Sequence, residues 1–136
     1  MELFQVPPQQ IDRAWADGAS VLGEACKWAL REITPDQLKM LLSRGERVLL
    51  GAKEGDQILG WASVGVQQLP NIRVLYIYAM AGKGIANKEG FGLLKEYAIA
   101  NGCTTIRGAV RPAMMRLMTQ RFGAKPLYQT FETEAA

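Results

Sequence analysis

The sequence predicts a single α/β domain spanning residues 1–136, with a central mixed β-sheet of about six strands flanked by four helices. Two observations lead to this fold class. Segments with helical spacing of apolar residues occur between short apolar runs of strand length. Residues 72–80 are apolar on both faces, which is typical of a central strand covered by helices on either side.

The elements follow in order along the chain. We predict strands at residues 1–6, 47–53, 57–68, 72–80, 104–110 and 127–132. We predict helices over residues 8–30, from Pro35 to Gly45, from Gly84 to Ala100, and from Pro112 to Gly123. Residues 47–80 should form three antiparallel strands, whereas the strand-helix-strand crossover through residues 72–110 should make that pair parallel.

Two local signals sharpen the helix boundaries. Gly18 and Gly23 are expected to break or bend the first helix, because glycine is unfavourable in a helix interior. Thr34 and Gln37 have the spacing of a capping box around Pro35, which suits the first helical position. The second helix should therefore begin sharply at Pro35.

The composition excludes several classes of protein. With 49% hydrophobic and 21% charged residues, the chain is typical of a globular protein, and no apolar run approaches the ~18 residues of a membrane span. The N-terminus lacks a signal-peptide pattern. The net charge of +3 is too small to indicate nucleic-acid binding, and no nucleic-acid motif occurs. We expect a cytoplasmic protein.

The cysteine and histidine counts argue against a metal site. The chain has no histidine, and its two cysteines, Cys26 and Cys103, are far apart in the sequence. We expect two buried thiols in a reducing compartment, with no metal and no disulfide. Histidine-based catalysis is also excluded.

The turn after the predicted central strand is the segment with the clearest functional signal. It reads Ala81-Gly82-Lys83-Gly84-Ile85-Ala86 and leads into a helix. Glycines let backbone N–H groups approach a phosphate closely, and a helix N-terminus favours negative charge. Lys83 and Lys88 add two cations. The alternative is a plain strand-to-helix turn that uses glycine for its conformational freedom.

The order of elements and this turn resemble the GNAT superfamily of acyl-CoA-dependent N-acyltransferases over nearly the whole chain. The family loop has the form Gln/Arg-x-x-Gly-x-Gly/Ala; Gly84 and Ala86 match it, and Ala81 departs from it. The resemblance implies transfer of an acyl group from acetyl-CoA or another acyl-CoA to an amine. The implied cofactor-binding residues are Ala79, Met80, Ala81, Gly82, Lys83, Gly84, Ile85 and Ala86.

The catalytic signature of the family is incomplete in this chain. In a second family segment, residues 111–124, Gly123 matches, but Thr119 stands where a tyrosine usually protonates the leaving thiolate. The family's acidic base on the fourth strand is also missing. Tyr76 and Tyr78 are the remaining catalytic candidates, since they could polarise water, although buried tyrosines are often core residues. Backbone N–H groups at residues 78–80 would stabilise the oxyanion.

Basic residues follow the predicted fifth strand. Arg107 lies within that strand, where an unpaired charge is costly, so it should face either a carboxylate partner or the substrate cleft. We take Arg107 and Arg111 as candidate substrate-binding residues. The basic stretch 107–125 is open to two interpretations, a solvated helix face or a surface for an acidic protein partner. A homo-oligomer is also compatible with the sequence.

A narrower resemblance is to small GNAT-like proteins of tailed bacteriophages. The matching pieces are Met1-Glu2-Leu3, Val6-Pro7, Ile11-Asp12, Gly82-Lys83-Gly84 and Asn101-Gly102-Cys103. This resemblance implies an alternative function, that of a catalytically degenerate phage protein acting by binding in virion assembly or host takeover.

Overall fold

A five-stranded mixed sheet forms the centre of the protein in the computed structural model, which describes all 136 residues. The strands are β1 (Glu2–Val6), β2 (Val48–Glu54), β3 (Gln57–Gln68), β4 (Arg73–Ala81) and β5 (Thr105–Gly108). They lie side by side in chain order. The first four pair antiparallel, and β4 and β5 pair parallel, so the predicted crossover is confirmed.

Four α-helices and two 3-10 helices flank the sheet. The α-helices are α1 (Ile11–Ala16), α2 (Pro35–Ser43), α3 (Lys88–Ala100) and α4 (Pro112–Phe122). The 3-10 helices are Pro8–Gln10 and Ala19–Trp28. None of these helices is both long and apolar enough to cross a bilayer.

Two apolar layers hold the helices on opposite faces of the sheet. The first face is covered by α1, α2 and the longer 3-10 helix, and its core consists chiefly of Ile11, Leu22, Leu38, Leu42, Leu49 and Trp61. The second face is covered by α3, and its core consists chiefly of Leu50, Val64, Leu75, Ile85 and Leu94. Helices on both faces of the sheet are thus confirmed.

The helix predicted over residues 8–30 is instead three short pieces. Gly18 has φ +126°, a backbone conformation that residues other than glycine rarely adopt. This conformation ends α1. The following residues continue as the 3-10 helix Ala19–Trp28, in which Ala19 and Leu22 are fully buried. The expected break at Gly18 is therefore confirmed, whereas Gly23 lies within the 3-10 helix and the residues after Gly18 form no α-helix.

The sixth strand, predicted at residues 127–132, is absent, and this segment has no regular structure. Its apolar residues do not reach the core, since Leu127 is 52% and Phe131 is 91% exposed. An apolar alternation yields a strand only when a partner strand and a buried face are available. The sheet therefore has five strands, and β5 also stops at Gly108 rather than at residue 110.

The start of α2 matches its sequence signal. The Thr34 hydroxyl accepts a hydrogen bond from the Gln37 backbone N–H, and the Gln37 side chain accepts one from the Thr34 N–H. This reciprocal pair satisfies two N–H groups that a helix leaves free, so the predicted capping box is confirmed.

Replacing Thr34 by alanine should lower the free energy of unfolding by about 1 kcal/mol, because the helix loses a cap. Urea unfolding measures this loss. Thr130→Ala is the matched control, since Thr130 is exposed and belongs to no helix or strand. Equal stability of the Thr34 variant and the wild type would show that the capping box contributes nothing.

Candidate functional site

The glycine turn between β4 and α3 folds back onto the end of β3. The Gly84 N–H donates to the Leu59 carbonyl at 3.3 Å, and the Ile85 N–H donates to the Gly82 carbonyl at 3.4 Å. The Ile85 side chain is fully buried and lies directly against Gly60. The turn is therefore fixed to the sheet by hydrogen bonds and by one apolar anchor.

The structure gives a different reason for glycine at position 84 from the one the sequence suggests. A Cβ atom there would lie 2.3 Å from the Leu59 Cβ, so the absence of a side chain is required by β3. A Cβ on Gly82, where φ is +104°, would lie 2.6 Å from the Gly60 Cα. Close packing on β3, rather than approach of a phosphate, excludes side chains at both positions.

Other backbone groups of the same turn remain free for a ligand. The N–H groups of Lys83, Ala86 and Asn87 donate to no acceptor within the protein. The Asn87 side chain caps α3 by accepting from the Gly90 N–H at 2.8 Å, and it donates to the Gly84 carbonyl at 2.9 Å. Free N–H groups beside a helix N-terminus form a cradle for an anion.

The charges around this cradle are mostly positive. Lys83 and Lys88 are exposed on the turn and in the first turn of α3, and neither forms an ion pair. Glu89 is the one acidic residue in that first turn. The two lysines outnumber it, so the local charge favours an anion.

A β-bulge interrupts β4 at Tyr78. Ile77 pairs with Val64 and Ala79 pairs with Ser63, so Tyr78 has no partner on β3. A bulge leaves one residue outside the ladder and redirects its backbone groups. The bulge lies within residues 78–80, the segment expected to supply the oxyanion donor.

Beyond the bulge, β4 has an open edge on the side of β5. The parallel pairing ends with Ile77 opposite Gly108, while β4 continues to Ala81. β5 contains only four residues, and the chain then turns away into α4. The last part of β4, residues 78–81, therefore has one edge available to a ligand that contains amide groups.

Four side chains form what we call the arginine–tyrosine cluster, on the first face of the sheet: Arg47, Tyr76, Tyr78 and Arg107. The Arg47 guanidinium carbon lies 3.8 Å from the centroid of the Tyr78 ring, and the two tyrosine rings are 4.9 Å apart. Tyr78 packs over Gly65 of β3, where any side chain would collide with its ring. Arg107 pairs with Tyr76 across β4 and β5.

The environment of Tyr76 favours the protonated phenol. Burial raises the pKa of Tyr76 above its ordinary value, and the neighbouring Tyr78, Tyr128 and Glu32 raise it further, while Arg47 opposes the change. A phenol with a raised pKa stays protonated at neutral pH, where its hydroxyl can donate a hydrogen bond, but it is a weaker acid than an ordinary tyrosine. Tyr76 is therefore better suited to hydrogen bonding than to proton transfer.

Arg107 carries an unsatisfied hydrogen-bond donor. Its Nε atom is buried and has no partner in the protein, an arrangement that costs free energy unless a ligand or water completes it. Arg111, the other substrate-binding candidate, stacks on Trp28 with its guanidinium carbon 3.8 Å from the ring centroid. The strand register thus places Arg107 beside Tyr76, whereas Arg111 lies against Trp28 at the end of the longer 3-10 helix.

The loop before α2 combines an unusual backbone conformation with a contact to the C-terminal segment. Leu30 and Arg31 have φ +51° and +69°, which is a strained conformation for residues other than glycine. The Arg31 guanidinium donates to the Glu132 carboxylate at 2.8 Å, so the C-terminal segment crosses to this loop. Tyr128, in the same segment, lies near Tyr76.

The remaining basic residues of the 107–125 stretch do not form one surface. Arg116 and Arg121 lie on α4, five positions apart, which places them about 140° apart around the helix axis. Both are exposed, as is Lys125. Whether this stretch binds a protein partner stays a prediction, as does the homo-oligomer.

One depression in the surface lies outside the glycine turn. It has a volume of about 390 Å³ and is lined by Gly23, Glu24, Cys26, Lys27, Ile33, Thr34 and Pro35. It contains no residue of β4 or β5.

Cys103 is buried and Cys26 is only half-buried, which corrects the expectation of two buried thiols. No three His, Cys, Asp or Glu side chains come together as metal ligands would.

Two residues of this region were missed by the sequence analysis. Arg47 directly precedes the buried strand β2, and the alternation of side chains along the strand places it on the same face as Leu49. A charged residue on the core-facing side of a strand could have marked Arg47 as a candidate site residue. Glu32, near Tyr76, lies in an irregular loop, and no pattern in the sequence relates it to β4.

Replacing Gly84 by alanine should lower the free energy of unfolding by about 1–3 kcal/mol, because the new Cβ collides with Leu59. Gly92→Ala is the matched control. Gly92 lies within α3, where a Cβ would meet no atom within 4 Å, so alanine should stabilise the protein by about 0.5–1 kcal/mol. Urea unfolding of both variants gives the comparison, and a Gly84 variant as stable as the wild type would contradict the packing.

Comparison with known proteins relates the fold to acetyltransferases. No protein-family model and no curated protein sequence matches the chain. Among solved structures, it is similar to a ribosomal-protein-alanine N-acetyltransferase from Brucella melitensis biovar Abortus 2308 (TM-score 0.68, 14% identity, covering 98% of this chain and 99% of the other). It is also similar to a probable acetyltransferase (TM-score 0.67, 13% identity, covering 100% of this chain and 99% of the other). A third similar structure is an aminoglycoside acetyltransferase from an uncultured soil metagenomic sample, in complex with sisomicin (TM-score 0.64, 11% identity, covering 99% of this chain and 96% of the other). The chain therefore has the GNAT acetyltransferase fold.

Proposed function

We propose that the chain is an acyl-CoA-dependent N-acyltransferase of the GNAT superfamily that uses acetyl-CoA or another acyl-CoA. One observation carries the proposal: the open edge of β4 beyond its bulge leads directly to a turn with free N–H groups at the start of α3. These features occur in a fold shared with acetyltransferases along the whole chain.

The residues present fit an acyl-CoA. The amides of its extended arm suit the open edge of β4 at residues 79–81, where backbone groups have no neighbour on the side of β5. Its phosphates suit the free N–H groups of Lys83 and Ala86, together with the side chains of Lys83 and Lys88. Gly82, Gly84 and Ile85 position this turn on β3 and need not contact the cofactor themselves.

The reaction joins the amine nitrogen to the acyl carbon, breaks the carbon–sulfur bond, and moves one proton from nitrogen to sulfur. Acyl-CoA supplies the activated thioester. The redirected backbone of the Tyr78 bulge supplies an N–H donor for charge on the acyl oxygen. Tyr76 and Tyr78 are the hydrogen-bond donors nearest the bulge, and Arg107 and Arg111 contact the acceptor from the β5 side.

Acetyl-CoA should stabilise the folded protein, by about 2.7 kcal/mol at 100 times its dissociation constant. Lys83→Glu should weaken binding roughly three- to tenfold at low salt, on the order of 1 kcal/mol, because a cation at the phosphate cradle becomes an anion. The difference should shrink at high salt. Calorimetry and thermal unfolding measure both effects.

Lys95→Glu is the matched control, since Lys95 is exposed on α3, away from its N-terminus, and undergoes the same charge change. Equal weakening by the two substitutions would place the phosphates elsewhere. Acetyl-CoA binding without release of free thiol in the presence of any amine would favour the non-catalytic alternative. Neither heat nor stabilisation at millimolar acetyl-CoA would refute the cofactor proposal.

A further inference from the structure

The cluster on the first face of the sheet contains cations that the protein itself does not neutralise. Six of the sixteen lysines and arginines form an ion pair with a side-chain carboxylate: Arg13, Lys27, Arg31, Lys39, Arg44 and Lys53. Of the ten that form none, seven are exposed, and the half-buried Arg73 donates to oxygens of Asn101 and Gln68. Arg47 and Arg107 are the two half-buried guanidinium groups with neither an ion pair nor a hydrogen-bond acceptor in the protein.

Arg47 is held in a way that keeps its donors available. Its guanidinium group stacks on the Tyr78 ring at 3.8 Å, and Gly65 leaves the space that the ring occupies. The N–H donors of a guanidinium point outward in its plane, so stacking fixes the group without using them. Arg47 is only half-buried, so those donors can reach a ligand.

Arg107 lies across the strand pair from the same tyrosines and lacks an acceptor. Its buried Nε has no hydrogen-bond partner, and its strand position is level with Tyr76. Leaving a charged donor buried without a partner is costly, and an anion between Arg107 and Arg47 would remove that cost. Carboxylate and phosphate groups match the fork of guanidinium donors.

No carboxylate of the protein pairs with Arg47 or Arg107, and the nearby Arg31 is already paired with Glu132. The cluster therefore offers two cationic groups without a partner. Since the proposed acceptor is an amine, an amine that also carries an anionic group complements these cations, while a polycation does not.

We propose that the acceptor is a small amine that also carries a carboxylate or phosphate, with Arg47 and Arg107 binding that anion and Arg47 determining specificity. This inference rests on the proposed acyl transfer. It goes beyond it by naming the class of acceptor and by assigning a role to Arg47.

The test uses pairs of amines that differ only in the anion: β-alanine against β-alaninamide for carboxylate, O-phosphoethanolamine against ethanolamine for phosphate, and spermidine as a polycation. Release of free thiol from acetyl-CoA gives kcat/KM, and calorimetry gives the affinity of each amine separately. We expect the anionic member of at least one pair to be preferred tenfold or more, and the preferred pair identifies the anion.

Arg47→Gln should abolish this preference while leaving the affinity for acetyl-CoA unchanged. Arg47→Lys, which keeps the charge but loses the stacked fork, should retain part of it. Arg44→Gln is the matched control, because Arg44 lies three positions away and pairs with Glu46 on the surface. Circular dichroism and thermal unfolding establish that each variant is folded.

The outcomes separate the two proposals. Equal use of anionic and neutral amines, a preference for spermidine, or an unchanged preference in folded Arg47→Gln would overturn the acceptor assignment while acetyl-CoA binding stands. Binding of O-phosphoethanolamine or β-alanine that depends on Arg47, without any binding of acetyl-CoA, would support the anion site and remove the transferase.

Discussion

The close contact between the glycine turn and the end of β3 is the constraint on which the candidate site depends. Gly60, Gly82 and Gly84 bring backbone against backbone, and the fully buried Ile85 anchors the turn in the second core. This contact sets where β4 ends and where α3 begins. It therefore fixes the free N–H groups of Lys83 and Ala86 relative to the open edge of β4. A looser turn would leave these groups without a common geometry.

The two faces of the sheet differ in the side chains that cover them beside the candidate site. On the second face, α3 packs on an apolar layer and its N-terminus is held by Asn87. On the first face, the apolar layer gives way at one end to polar and aromatic side chains around Tyr76. The Tyr78 bulge lies where the two regions meet, because it interrupts the ladder between Val64 and Ser63. A ligand lying along the open edge of β4 would reach both.

Local signals predicted the fold well because they describe contacts within a few residues. The capping box of Thr34, the turn at Gly82 and the left-handed Gly123 that ends α4 all occur as expected. Predictions failed where distant contacts decide the structure. The residues after Gly18 form a 3-10 helix in place of the expected α-helix, although their apolar side chains still pack against the sheet. The segment containing Phe131 has the alternation of a strand but no strand beside it.

The candidate site was predictable only in part, for a related reason. The glycine turn is continuous in sequence, so its glycines and lysines are visible there as a group. The cluster is assembled from β2, β4 and β5, and no local pattern relates Arg47 to Tyr78. The glycine turn serves the fold itself, since Gly84 is required by Leu59. Any protein with this turn needs those glycines, whatever it binds. What distinguishes one ligand from another must therefore depend on residues that the fold does not require, and the unpaired Arg47 and Arg107 are residues of that kind.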